Sequence, residues 1–313
     1  MLSFVVRRLV AIIPVLGVVA FLVFMMLRLT PGDPAAIIAG DYANDQQVAE
    51  IRGKLGLDQP LVGQFFIWIA KIVQGDLGQS FFYKKTVADL IVQRVEPTLA
   101  LALFTIVIAV LVAVPLGVLA AYRHGSWVDR LTMGFSVFGF SVPVFVIGYL
   151  LIYVFALQLG WFPVQGYARL GDGLGDFVHR LILPSITLSV IYIALIARIT
   201  RASVLEVLGE DYIRTARAKG LTDRVVLLRH ALGNAAVPIV TVIGLGIALL
   251  IGGVVVTESV YSIPGLGRLT VDAVLGRDYP TIQAIILLFS GVYVLINLVI
   301  DIAYTLFDPR IRY

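Results

Sequence analysis

The sequence predicts an all-α membrane protein with six transmembrane helices, and three observations carry that prediction. Of its 313 residues 59% are hydrophobic and 14% charged, with a mean hydropathy of +0.97; a soluble domain has roughly 45–50% and 25%. The apolar residues are gathered into runs long enough to cross a hydrocarbon core, which takes about 20 residues. Basic residues concentrate in alternate connections, the pattern left by retention of Lys and Arg in the cytoplasm. A net charge of +4 is too small to point to nucleic acid. The absence of cysteine excludes disulfides, thiolate metal sites and cysteine nucleophiles. Three histidines, His124, His179 and His230, are thin material for a metal centre.

The first span is expected over Leu9–Leu27, which carries no charge. It is longer than the 7–15-residue apolar core of a signal peptide and lacks a small-x-small cleavage site, so an uncleaved anchor is expected. Further spans are expected over Thr98–Ala121, Leu131–Leu159, Leu181–Ile199, Ala235–Thr257 and Thr281–Phe307. Six spans put both termini on one side. With the termini inside, the inner segments hold thirteen basic and six acidic residues, and the outer ones eleven and thirteen. Both termini are therefore expected in the cytoplasm. Pro14, Pro115, Pro143, Pro184 and Pro238 fall in or near the spans, as do several glycines. Proline removes a helix hydrogen bond and glycine lets backbones approach. This suits a bundle that rocks between two arrangements, and equally the general enrichment of both residues in membrane helices.

The segment Pro31–Glu96 is too charged to span. Asn44 and Gln47 have capping-box spacing, with Gly56 placed to end the helix they start. Over Leu61–Val73, residues Leu61, Phe65, Trp68 and Ile72 share one stripe. Both pieces read as short amphipathic helices, serving either as a cover over the bundle or as a docking surface. The glycine-rich Gly166–Gly175 is expected to be a flexible outer loop.

The most informative connection follows the fourth span: Glu206-Val-Leu-Gly-Glu-Asp-Tyr-Ile-Arg-Thr-Ala-Arg-Ala-Lys-Gly220. Glu210 and Asp211 sit where carboxylates favour a helix N-terminus, Arg217 and Lys219 at the opposite end, and Gly220 as a left-handed stop. A short polarised helix is expected outside the membrane, with Ala216 and Ala218 leaving a low profile for packing into a groove on another protein.

Here a resemblance enters. Arg214-Thr-Ala216 and Gly220 are similar to the EAA loop of type-1 ABC importer permeases, which have the second alanine and the glycine at this spacing. Arg214-Thr215 stand where the general pattern has Glu-Ala, and Pro238 lies farther on than in sugar permeases. Both departures match the dipeptide/oligopeptide branch. The resemblance covers nearly the whole chain: Arg7-Arg8-Leu9, Pro31-Gly-Asp-Pro34, Leu55-Gly-Leu-Asp-Gln-Pro60, Gly75-Asp-Leu-Gly-Gln-Ser80, Pro264-Gly-Leu-Gly-Arg268, Arg277-Asp-Tyr-Pro280 and Asp308-Pro-Arg-Ile-Arg312. The chain resembles the first permease subunit of a dipeptide-type importer.

That resemblance implies a type-1 importer (MetI-like) permease fold. Residues 1–93 would supply one transmembrane helix and the extracytoplasmic segment, 94–307 the permease core with its coupling loop, and 308–313 a cytoplasmic tail. Glu210, Asp211, Arg214, Thr215, Ala216, Lys219 and Gly220 would dock on an ATPase. Pro264, Gly265, Gly267 and Arg268 would form an outer gate or receptor contact, or else a buried turn. The implied partners are a second, homologous permease, two ATPase subunits and an extracytoplasmic solute-binding protein. The implied location is a bacterial inner membrane. The chain has no G-x-x-x-x-G-K followed by Ser or Thr, so ATP and Mg belong to the partners and this chain binds no cofactor. Nor does Gly171-Asp-Gly-Leu-Gly175 have the strand and helix of a dinucleotide motif. The cargo expected is a dipeptide or short oligopeptide, with glutathione or chelated nickel as alternatives.

Three rival classes lose ground. An ion-coupled transporter needs intramembrane relays, and each charge costs about 2.5–3.5 kcal/mol at mid-membrane; Asp301 alone is poor support. An enzyme would need a nucleophile or metal motif, and a channel a charged ring or filter; neither is present. Asp301 is read as structural. Arg28 is expected to snorkel to the interface, and Arg198 and Arg201 to anchor the fourth helix beneath the coupling loop. Tyr149, Tyr153, Tyr192 and Tyr293 are read as lining a path or merely packing.

Overall fold

The computed structural model describes residues 2–29, 34–39, 44–54 and 56–307. Pro31, Gly32 and Asp33, Leu55, and the closing Asp308–Arg312 with the tail 308–313 lie outside the described residues. The chain begins with α1 (Leu2–Leu29), α2 (Pro34–Ala39), α3 (Asp45–Lys54) and α4 (Leu61–Val73). The long α5 (Val87–Tyr122) leads to α6 (Trp127–Ser141) and α7 (Val144–Leu151), which continues as a π-helix over Ile152–Gln158. Next come α8 (Leu174–Leu208), α9 (Asp211–Ala218) and α10 (Asp223–Val225), a π-helical stretch Val226–Ala231, and α11 (Leu232–Asn234). The chain then runs through α12 (Ala236–Val260), α13 (Leu266–Leu275) and α14 (Tyr279–Phe307). Among the described residues the one β-bridge pairs Gln79 with Thr86.

Four of these helices are long and apolar enough to cross a membrane: Val87–Tyr122, Leu174–Leu208, Ala236–Val260 and Tyr279–Ile302. α1 contributes a shorter apolar stretch, Val10–Met26. The third predicted span differs from expectation. Instead of one helix over Leu131–Leu159, α6 and the α7 segment meet at 105°. Proline disfavours helical backbone in the residue before it; Val142 is extended (φ −94°, ψ 124°) and Pro143 (φ −57°, ψ 139°) caps α7. Pro14, Pro97, Pro115 and Pro184 are carried inside α1, α5 and α8 without ending them.

The chain divides into two compact units. The first is Met1–Val95 with Leu269–Leu295, the second Glu96–Arg268 with Ile296–Tyr313. In the first, Asn44 and Gln47 close the expected capping box, with reciprocal bonds of 3.0 and 2.8 Å. Gly56, at φ 65°, sits just past the end of α3. α4 lays Phe65 and Trp68 on the ring of Phe24, with centroids 5.3 and 5.7 Å apart. Such aromatic pairs are worth about 0.5–1.5 kcal/mol beyond burial. Leu61, expected on the same stripe, is exposed. Arg28 does not reach out to an interface. Its guanidinium lies 3.7 Å from the Phe24 centroid and donates twice to Oε1 of buried Gln64, at 3.2 and 2.9 Å. An acceptor amide and an aromatic face within reach outweigh the pull of solvent.

Two of the sequence motifs meet in this unit. Asp278 is fully buried; it accepts from Ser80 Oγ at 2.5 Å, Thr281 Oγ1 at 2.7 Å and the Phe81 amide at 3.3 Å. A buried carboxylate needs that complement of donors. The Gly75–Ser80 motif is thereby tied to Arg277–Pro280.

In the second unit α8 is the buried centre, packed by α6, α7 and α12. Glycines permit the approach. A Cβ on Gly117 of α5 would lie 2.7 Å from the Ala197 carbonyl oxygen, and one on Gly139 of α6 would lie 2.9 Å from the Ala194 Cβ. Gly134 and Gly252, by contrast, face open space. The glycine-rich stretch after α7 is tied down rather than loose. Gly166 N–H bonds the Tyr261 carbonyl at 2.9 Å, while Tyr167 Oη and Leu170 N–H both donate to Glu96 Oε1, at 3.2 and 3.1 Å. Burial, then the Glu96 carboxylate, push the Tyr167 phenol above its ordinary pKa.

Candidate functional site

α9 has the dipolar design the sequence implies. Glu210 is its N-cap and Asp211 its first residue, while Arg217 lies in the last turn and Lys219 follows. Negative charge at the first turn and positive charge at the last both oppose the helix dipole. Gly220, at φ 80°, makes the C-terminal stop: its N–H bonds the Arg217 carbonyl at 2.9 Å, and the Leu221 N–H bonds that of Ala216 at 3.3 Å. This is the paired bond pattern of a Schellman cap. Nothing lies within 4 Å of where a Gly220 Cβ would sit, so backbone conformation alone favours glycine there.

Ala216 takes a different place from the one expected. It is buried with Ile213 and Val226, against Val207 and Leu208 of α8. Positions 213 and 216 are three apart, hence on one face, and their apolar support comes from Val226 of the π-helical stretch and from the end of α8. Ala216 therefore holds α9 to its own chain and is not part of a surface offered to another. The exposed face carries Asp211, Tyr212, Arg214, Thr215, Arg217, Ala218 and Lys219. Arg214 pairs with Asp211 at 3.2 Å, and Arg217 lies 3.5 Å from Asp223. Tyr212, which sequence reasoning passed over, puts an aromatic ring on this charged face. Burial, then Glu210, raise its phenol pKa, against a hydrogen bond from Asn234.

The second predicted constellation, Pro264 to Arg268, is built around a residue the sequence reading missed. Glu258, in the last turn of α12, is fully buried. Its Oε1 accepts from Thr98 Oγ1 at 2.6 Å and its Oε2 from the Arg268 N–H at 2.9 Å. Thr98 in turn accepts from the Leu266 N–H at 2.8 Å. The two glycines make room for this carboxylate. A Cβ on Gly265 would fall 2.1 Å from Glu258 Oε1, and one on Gly267 would fall 2.6 Å from the Val255 Cα. Neither glycine has positive φ. The left-handed residue of the turn is Ser262, at φ 52°. Gly265 and Gly267 are buried and Arg268 half-buried, leaving Pro264 exposed. Tyr261 is 1% exposed, and its hydroxyl lies 2.7 Å from Thr187 Oγ1 on α8. A glutamate ten residues before Arg268, at the end of an apolar run, was the available signal.

The remaining singled-out residues are dispersed. Tyr192 is buried, whereas Tyr149, Tyr153 and Tyr293 are exposed. Asp301 is half-buried on α14. Arg198 sits 5.3 Å from the Phe140 ring centroid, and Arg201 is paired with Asp129. Among the described residues no group of His, Cys, Asp and Glu could hold a metal ion.

Comparison with known proteins extends over the whole chain. Residues 113–313 match the family described as binding-protein-dependent transport system inner membrane component, and residues 1–102 its N-terminal companion. The chain is 56% identical to the probable peptide ABC transporter permease protein y4tP of Sinorhizobium fredii, across 99% of both chains. It is 48% identical to the glutathione transport system permease protein GsiC of Escherichia coli, over 100% of both. Among solved structures it resembles the MetNI methionine ABC transporter captured facing inward, with a TM-score of 0.56 and 19% identity. That match covers 70% of this chain and 96% of the other and speaks to the fold alone.

Proposed function

Because this chain belongs to the binding-protein-dependent transport system permeases, and is thus a multi-pass transport subunit of an ABC importer and not an enzyme, we propose that it forms one half of an inner-membrane pathway for short peptides. α9 carries the reading. It is a polarised eight-residue helix with one face sealed onto its own chain and the other exposed and charged. Such a helix suits docking into a cleft of an ATPase. The partner set is a second homologous permease, two ATPase subunits that hold ATP and Mg, and a solute-binding protein on the opposite side. The chain crosses six times, with α1, α5, the bent α6–α7 pair, α8, α12 and α14 as the crossings and both termini in the cytoplasm. Glu210, Asp211, Arg214, Thr215 and Lys219 face the ATPase, with Gly220 ending the helix. Ala216 supports them from behind.

In this scheme ATP binding closes the ATPase pair and displaces α9, and release of hydrolysis products resets it. Pro264 and Arg268 are the members of the outer turn placed to meet a binding protein. Peptide cargo is supported by the peptide permease relative at 56% identity. Glutathione, itself a tripeptide, is the second reading, favoured by the glutathione permease relative. The test is uptake of labelled dipeptide, tetrapeptide, glutathione and chelated nickel in cells with and without this gene. Loss of peptide uptake on deletion, restored by the wild-type gene, is expected. Selective loss of glutathione uptake would favour the second reading, and loss of nickel uptake alone would overturn both.

A further inference from the structure

We infer that Asp129 and Arg201 are positioning residues, a clamp that makes α6 travel with α9 and so carries the displacement of α9 to the bend at Pro143. The inference rests on α9 being the coupling element proposed above.

Asp129 lies in the first turn of α6 with its side chain 6% exposed. Arg201 of α8 grips both carboxylate oxygens, Nη2 donating to Oδ2 at 2.8 Å and Nε to Oδ1. The Gly125 N–H adds a third bond, at 3.0 Å. His124 Nδ1 lies 3.1 Å from both Asp129 Oδ2 and Arg201 Nη2. With no hydrogen on Nδ1 the ring accepts from the guanidinium, and with one there it donates to the carboxylate.

Arg201 is also seven residues from the end of α8. Between α8 and α9 the Gly209 and Glu210 N–H groups bond the Glu206 and Val207 carbonyls, at 3.0 and 3.1 Å, leaving little slack. Ile213 and Ala216 pack with Val226 of the π-helical stretch against Val207 and Leu208, and that stretch also packs on α8, so α9 is held to the end of α8 both directly and through it. α6 packs along α8, and two features pin its ends. At one end is the ion pair; at the other Gly139 abuts Ala194, and Arg198 faces Phe140. Two residues beyond Gly139, α6 stops and the chain turns by 105°.

The choice of an ion pair is informative. A buried pair adds little net stability over a well-packed apolar contact. The fork of a guanidinium on a carboxylate does fix relative orientation in a way apolar packing does not. Orientation between α6 and α8 is what transmission needs.

The chain has no cysteine, so spin labels can be placed through Thr222→Cys, just past the end of α9, and Phe138→Cys, both at exposed positions. The complete transporter would be purified with its ATPase chains and reconstituted. The α9–α6 distance should be the same with and without ATP, because the two move together. In Arg201→Ala that distance should change when ATP is added, and labelled dipeptide moved per ATP hydrolysed should fall about tenfold. The charge-reversed pair Asp129→Arg with Arg201→Asp should restore both readouts. A pair that merely holds the fold would reduce the amount of assembled complex yet leave both readouts at wild-type values in what remains. That result overturns the inference, as does a wild-type distance that changes with ATP. If Arg201→Ala does not assemble, Arg201→Lys, which keeps the charge without the fork, takes its place with the same two outcomes. Failure of the α9 reading is separable: Gly220→Asp would then hydrolyse ATP and transport normally, whatever happens at Arg201.

Discussion

At the scale of single residues, the sharpest constraint is steric and electrostatic together. Gly265 must be glycine because the Glu258 carboxylate fills the space of its side chain. Gly265→Ala should destabilise the solubilised protein by about 1–3 kcal/mol, seen as a lower midpoint in thermal unfolding. Pairing it with Glu258→Ala should recover part of that loss in a double-mutant cycle; additive losses would show that the glycine is needed for another reason. The motif Pro264–Arg268 was legible in the sequence, but its cause was not. A glutamate ten residues before Arg268 looks like any outer charge until its donors, one of them 160 positions away on Thr98, come together. Arg28 and Ala216 were misread for a related reason. Pattern shows which residues share a helix face, and not which neighbour occupies it.

At the scale of elements, local rules worked where local bonds decide. The bounds of α4, the box at Asn44 and Gln47, and the stop at Gly220 all follow from backbone chemistry within six residues. The bend between α6 and α7 was hidden because Leu131–Leu159 is apolar throughout, and hydropathy averages over a break. Pro143→Ala should release Val142 from extended backbone. Labels at Phe138 and Tyr149 would then separate toward the roughly 16 Å that eleven residues span in a straight helix. An unchanged distance would mean that packing on α8 holds the bend. For α9, Gly220→Asp meets open space, so its cost to the fold is limited to left-handed backbone, about 1–2 kcal/mol. We expect it to insert and accumulate normally while its ATPase partners hydrolyse ATP without uptake. Normal transport by this variant would remove α9 from the coupling role.

At the scale of the whole molecule, composition and charge placement were enough to announce a polytopic membrane protein, since hydropathy is a sum over the chain. They could not foresee the division into two units, in which Leu269–Leu295 joins the first ninety-five residues. The proposed topology predicts that an impermeant maleimide labels Pro264→Cys in intact spheroplasts and Ala218→Cys only after permeabilisation; the reverse pattern would invert the chain. The long reach of Glu258 also bears on how the protein is made. As α12 leaves the ribosome, that carboxylate has no donors of its own at the end of an apolar helix. Thr98 already waits in α5, but the Arg268 amide is still ten residues from being synthesised. A newborn chain therefore carries an incompletely satisfied carboxylate until the next ten residues are made and the turn closes around it. Mutations at Gly265 or Thr98 should accordingly mark the chain for membrane proteases before they impair any transport cycle.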